Sequence, residues 1–127
     1  MDTTDTMDTS DEIPLEDHRY FSARLDHLEN QNPATLLTLL ESGTLTEHLR
    51  IVTGWAMQVK AKLVFNQNLP EDQADEMVMS QVVADPAEQS RLTNRTSRMK
   101  LRTLLDQYKA ALPHLPRTYQ SQNEITE

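Results

Sequence analysis

Residues 44–66 read TLTEHLRIVTGWAMQVKAKLVFN. Leu45, Leu49, Val52, Ala56, Val59 and Leu63 recur there at alternating steps of four and three, the spacing of one face of an α-helix. Ile51, Trp55 and Phe65 add a second stripe that widens the apolar face. Thr44 and Glu47 stand at capping-box spacing just before the run. The stretch predicts a long helix from Thr44 to about Asn66 at the centre of a helical core. Gly54 interrupts it at a cost of roughly 1 kcal/mol relative to alanine. That cost points to a packing reason, the close approach of another helix or of the Trp55 ring.

The flanking sequence is punctuated in the same helical manner. A first helix is expected from about Pro14 to Glu29, with Tyr20, Phe21, the stem of Arg24, Leu25 and Leu28 on one face. Asn32 and Pro33 form a start signal for a short helix carrying Leu36, Leu37, Leu39 and Leu40, and Gly43 is placed to stop it in a left-handed conformation. Leu69-Pro70 restarts the chain into a fourth helix, to about Ala84, whose first turn carries Glu71, Asp72, Asp75 and Glu76, acids that complement the helix dipole. Asp85-Pro86 repeats the cap-plus-proline signal, with Glu88 at capping-box distance. The last helix is expected to run from there to about Leu112, where Pro113 ends it. Neither an alternating strand nor a hairpin signal is present.

The expected fold class is therefore all-α, a single small domain of about five helices. Residues 14–113 form the helical domain, preceded by an acidic tail (1–13) and followed by a polar tail (114–127). The first dozen residues hold five acids and little apolar surface to bury, so disorder is expected at this end and at the other.

Charge is segregated along the chain. Residues 1–17 hold seven acids and no base, and residues 71–88 hold six acids and no base. Residues 91–109 reverse this, with six bases and one acid in a chain of net charge −8. Arg91, Arg95, Arg98 and Arg102 within that segment follow helical steps of four, three and four. A row of guanidinium groups matches carboxylate or phosphate oxygens and calls for an anionic counterpart. Two internal segments compete for that role, the acidic tail and the Glu71–Glu76 helix start. An acidic protein surface is the favoured external partner. The short hydroxyl and amide side chains between Ser90 and Ser97 also suit phosphate, so a nucleic-acid-binding regulator is the second reading. The acidic whole-chain field opposes it, and aromatic residues for base stacking are few.

Catalytic motifs are lacking. The four histidines, His18, His27, His48 and His114, form no metal-binding or dyad spacing, and neither a nucleophile elbow nor a phosphate-cradling glycine loop is present. With no cysteine, thiolate chemistry and disulfides are excluded. No cofactor or metal is expected, and a small helical enzyme is only a remote alternative. No apolar run approaches a membrane span and the N-terminus lacks signal-peptide character, so a cytoplasmic location without membrane contact is expected. Arg91, Arg95, Arg98 and Arg102 are the expected partner-binding residues, and Met77, Met79 and Trp55 the candidate apolar anchors. The methionines, with Val78, Val82 and Val83, make the fourth helix apolar on nearly every side. Burial and a helical homodimer compete to explain this. Taken together, the sequence reads as a non-catalytic interaction module, an adaptor, regulator or assembly factor.

Overall fold

A computed structural model describes residues 13–119. Among them are five α-helices and no strand: α1 (Arg19–Gln31), α2 (Pro33–Ser42), α3 (Leu45–Gln67), α4 (Glu71–Val78) and α5 (Arg95–Ala111). Short 3-10 turns, Leu15–Asp17 and Leu112–His114, precede α1 and follow α5, and α4 runs on into a π turn, Met79–Val83.

Apolar periodicity sorts these helices into two adjoining cores. Phe21, Leu25 and Leu28 of α1 meet Leu36 and Leu37 of α2, Leu45 and Leu49 of α3, and Leu101 and Leu105 of α5. The second core gathers Tyr20, Ala56, Val78 and Val83, with Val59, Leu63 and Met79 packed against them. α1 and α3 run through both cores, so the central role expected for residues 44–66 holds. α5 reaches the first core only, through α2. Lys100 to Glu41 (2.5 Å), Lys109 to Glu29 (2.9 Å) and the Tyr108–Thr46 hydroxyl contact (2.8 Å) tie down its edges.

Gly43 ends α2 with φ 73°, and the Thr44 N–H reaches back to the Leu39 carbonyl (3.0 Å). Asn68, at φ 56°, ends α3 in the same left-handed conformation. The π turn after α4 has a packing cause. Widening the turn places residues five apart on one side, and Val78 and Val83 are both buried.

Several expectations are corrected. The first helix begins at Arg19 rather than Pro14, because residues 15–17 form a separate 3-10 turn and His18 Nδ1 caps α1 by accepting the Tyr20 N–H (3.1 Å). Thr44 makes no cap hydrogen bond, since its hydroxyl meets Ser42 instead (2.7 Å), so the Thr44–Glu47 capping box does not form. The last helix begins at Arg95, not Pro86. Asp85 closes a local turn onto the Ala87 N–H (2.9 Å), and Asn94 is the working N-cap, accepting from Thr96 (2.7 Å) and Ser97 (3.3 Å). Residues 84–94 are an irregular linker, in keeping with the poor helix propensity of their serine, threonine, asparagine and proline residues. Ile51, Trp55 and Phe65 are not core; they stand 60, 58 and 79 % exposed on the outer side of α3.

The expected tails lie outside the described residues apart from residue 13 and residues 114–119. Within that last stretch Thr118 is held on both sides, its carbonyl by the Leu15 N–H (2.8 Å) and its own N–H by Glu16 (2.7 Å).

The capping geometry separates two threonine- or asparagine-to-alanine changes that sequence rules treat alike. Asn94→Ala is expected to cost about 1 kcal/mol of unfolding free energy in urea titration, whereas Thr44→Ala should cost clearly less, having no cap bond to lose.

Candidate functional site

The linker between α4 and α5 builds the site, and a buried arginine positions the linker. Arg24 lies on the inner face of α1, only 3 % exposed. Its guanidinium binds Glu88 through both terminal nitrogens, at 2.5 Å to Oε1 and 3.2 Å to Oε2. Nη1 also donates to the Val83 carbonyl (2.9 Å) at the end of the π turn, and Nε donates to His48 Nε2 (3.2 Å) on α3. One side chain thus joins α1, α3, the π turn and the linker. Glu88 does not cap a helix, as its spacing from Asp85 implies; it neutralises Arg24 instead.

The geometry sets the protonation of this cluster. His48 Nε2 accepts from Arg24, so the ring is neutral with its proton on Nδ1. Burial, followed by the nearby Arg24 charge, pushes both His48 and His27 below the ordinary histidine value. The Arg24 hydrogen bonds hold the Glu88 carboxyl below the usual range, against the opposing effect of burial. His27 Nε2 lies 3.5 Å from Glu88 Oε1 and has no hydrogen-bond partner.

Farther along, Ser90 stitches the linker to the α1–α2 corner. Its N–H donates to Gln31 (3.0 Å), its hydroxyl donates to Asn32 Oδ1 (2.5 Å), and that hydroxyl accepts from the Ala34 N–H (3.0 Å). Asn32 therefore spends its side chain on the linker rather than on capping α2. From α5, Arg98 Nη1 reaches back to the carbonyls of Leu92 (3.2 Å) and Thr93 (3.0 Å).

These anchors leave a cleft of about 640 Å³ between the helix corner, the linker and α5. Asn30, Gln31 and Pro33 form one wall, Gln89 to Leu92 the second, and Arg98 and Leu101 the third. No acidic residue among the described ones lines it.

The four-arginine stripe is accordingly split. Arg91 stands on the linker, off the helix, because α5 starts after it; Arg95, Arg98 and Arg102 lie on α5. Arg91 and Arg98 converge on the cleft, while Arg95 and Arg102 are exposed on the helix without lining it. All twelve bases of the chain fall within the described residues. Seven of them pair with a carboxylate there. The other five are Lys62 and the four stripe arginines. The acidic start of α4 does not serve the stripe, since Asp75 pairs with Arg19 and Lys60, and Glu71 with Lys60. The acidic tail lies outside the described residues.

The remaining candidates are dispersed. Trp55 is on the outer face of α3, Met79 packs against the second core, and Met77 is half-buried on α4. His27 and His48 belong to the Arg24 cluster, His18 caps α1, and His114 is exposed; none lines the arginine cleft. Among the described residues no group of three histidine or carboxylate side chains is placed to hold a metal ion, and no helix is long and apolar enough to cross a membrane. The sequence reading missed Arg24 as a buried cation. Its signal was an arginine inside an otherwise apolar stripe, and its partner, 64 residues away, carried none.

The fold and cleft define the class, an all-α five-helix protein with an arginine-lined corner. The chain matches no known family model, and neither a curated protein nor a solved structure resembles it significantly.

Removing Glu88 leaves the buried Arg24 charge with neutral partners only. Glu88→Ala is expected to destabilise by about 3 kcal/mol. Arg24→Met should cost less, since Glu88, about one-third exposed, turns to water. Urea midpoints of the two variants compare them directly.

Stability should also fall with acid. Folded-state values of His27, His48 and Glu88 all lie below their unfolded ones, so the unfolded chain binds more protons at low pH. The histidine contribution is complete above the unfolded value of about 6.5 and is lost below it, followed by the carboxylate contribution below about 4.3. The melting temperature is expected to be level from pH 8 to 7 and to drop by pH 5.5. His48→Gln, whose amide oxygen still accepts from Arg24, should flatten part of that drop; His27 and the similarly lowered His18 retain the remainder.

Proposed function

We propose that this protein is a non-catalytic interaction module, an adaptor, regulator or assembly factor. Its corner cleft receives an acidic segment of a protein partner. One observation carries the reading: among the described residues the four stripe arginines are four of the five bases without a carboxylate partner, and two of them line a cleft that no described acid lines. Two guanidinium groups without a carboxylate partner among the described residues, beside the half-buried Leu92 and the buried Leu101, offer both halves of a peptide hot spot, polar recognition and apolar contact. The side-chain amides of Asn30 and Gln31 line the cleft and suit peptide backbone groups, whereas the Gln89 amide nitrogen already donates to the Pro86 carbonyl (3.1 Å). His48, bound to Arg24, and His27, beside Glu88, both lie away from the cleft, and that placement supports a binding role over a catalytic one.

A phosphate backbone is the second ligand with matching chemistry, and the arginines of α5 beyond the cleft favour it as an extended track. The net charge of −8 works against it by repulsion at long range.

Fluorescence anisotropy separates the two. A panel of labelled acidic peptides and a short DNA duplex are titrated with the full chain at equal ionic strength. Binding of at least one acidic peptide is expected, weakened tenfold or more by the double change Arg91→Glu, Arg98→Glu, with helical content unchanged. The Arg95→Glu, Arg102→Glu pair should weaken it by less. DNA binding tighter than any peptide, with a steep salt dependence, would replace the protein-partner reading by the nucleic-acid one.

A further inference from the structure

The chain carries its own anionic counterpart to the arginine cleft. Residues 1–12, which lie outside the described residues, hold Asp2, Asp5, Asp8, Asp11 and Glu12 and no base. The acids that follow them are already engaged. Glu16 holds Arg50 (2.5 Å) and the Thr118 N–H (2.7 Å), and Asp17 holds Arg117 (3.2 Å). The start of α4 serves Arg19 and Lys60. On the basic side, Lys62 is the one base outside the stripe without a carboxylate partner among the described residues, a single charge against four.

Spacing and reach both suit a contact between the two. Asp2, Asp5, Asp8 and Asp11 recur at every third residue. An extended chain advances about 3.3 Å per residue, so successive carboxylates stand about 10 Å apart. Arg95 and Arg102 are separated by about 10 Å along the axis of α5, with Arg98 between them. Two successive aspartates of an extended tail therefore bridge the same span as the arginine row. The tail joins the domain beside the contact of Leu15 with Thr118, at the start of α1. The Asn30–Pro33 wall of the cleft lies at the other end of that 13-residue helix, about 20 Å along its axis. Twelve extended residues span about 40 Å, so Asp5 and Asp2 pass that distance. Single ion pairs at a solvated surface are weak, but a short tether raises the effective concentration of the attached segment to the order of millimolar.

We propose that the acidic N-terminal segment, residues 1–12, docks on the arginine row and cleft of its own chain and competes there with the acidic partner segment. The competition rests on the acidic-partner reading above; the docking itself does not. A partner must then displace the segment, and only one with more negative charge or added apolar contact at Leu92 and Leu101 does so efficiently.

The full chain tests this directly. It has no cysteine, so Thr6→Cys carries a single nitroxide label, and paramagnetic broadening of backbone amide resonances reports what the label approaches. Broadening is expected over residues 91–102. It should fall at least threefold when the tail is neutralised by Asp2→Asn, Asp5→Asn, Asp8→Asn, Asp11→Asn and Glu12→Gln. It should fall likewise at about 0.5 M salt, where the screening length is about 4 Å. Label and isotope placed on separate chains should give none. In parallel, the best-binding acidic peptide should bind the neutralised chain at least fivefold more tightly than the unaltered one. Broadening that is absent, confined to the neighbours of residue 13, unchanged by neutralising the acids, or seen only between chains would overturn the proposal. Equal peptide affinity of the two chains would overturn it as well. Broadening that persists while neither chain binds any peptide would retain the docking and remove the acidic-partner reading instead.

Discussion

The bidentate pairing of Arg24 with Glu88 is the constraint on which the rest of the architecture turns. A guanidinium buried between two leucine- and valine-lined cores is costly unless charge and geometry are both satisfied. Glu88 supplies the charge, and the Val83 carbonyl and His48 Nε2 supply the remaining acceptors. Each acceptor comes from a different part of the chain. The requirement therefore fixes how the π turn leaves α4, where the linker crosses α1, and which tautomer His48 adopts.

The arginine cleft is a consequence of that crossing. Once Glu88 is drawn inward, Ser90 falls against the α1–α2 corner and closes hydrogen bonds with Gln31, Asn32 and Ala34. Arg91, one residue on, is turned outward at the rim. α5 then begins at Arg95, capped by Asn94, and Arg98 returns from it to brace the linker carbonyls. Arg91 and Arg98 line opposite walls of one cleft because Arg91 lies on the irregular linker and Arg98 on α5. The buried pair holds the linker, while the stripe arginines stand without a carboxylate partner among the described residues.

Helix identity and order were legible in local sequence, because the apolar period, the prolines and Gly43 act over a few residues. The seam from Leu45 to Leu63 identified the central helix, and Gly43 its predecessor's end. The fold class, all-α with five helices, followed. Capping was less legible. Asn94 rather than Asp85 starts α5, since both are good cap residues and only the inward pull on Glu88 decides between them. The second stripe of α3 was read as core because apolar residues at helical spacing carry no label saying which of two faces meets the protein. The number of neighbouring helices decided that, and they cover only the inner side.

The sequence by itself determined the helices, their lengths to within a turn except at the ends of the first and last, and the concentration of positive charge after residue 90. These are consequences of periodicity and composition, which act locally. Only the tertiary structure decided that Arg24 is buried, that Arg91 and Arg98 rather than four arginines in a row define a cleft, and that Trp55 faces outward. Those outcomes rest on contacts between residues as much as 64 positions apart, and desolvation selects among such contacts only once the helices are packed.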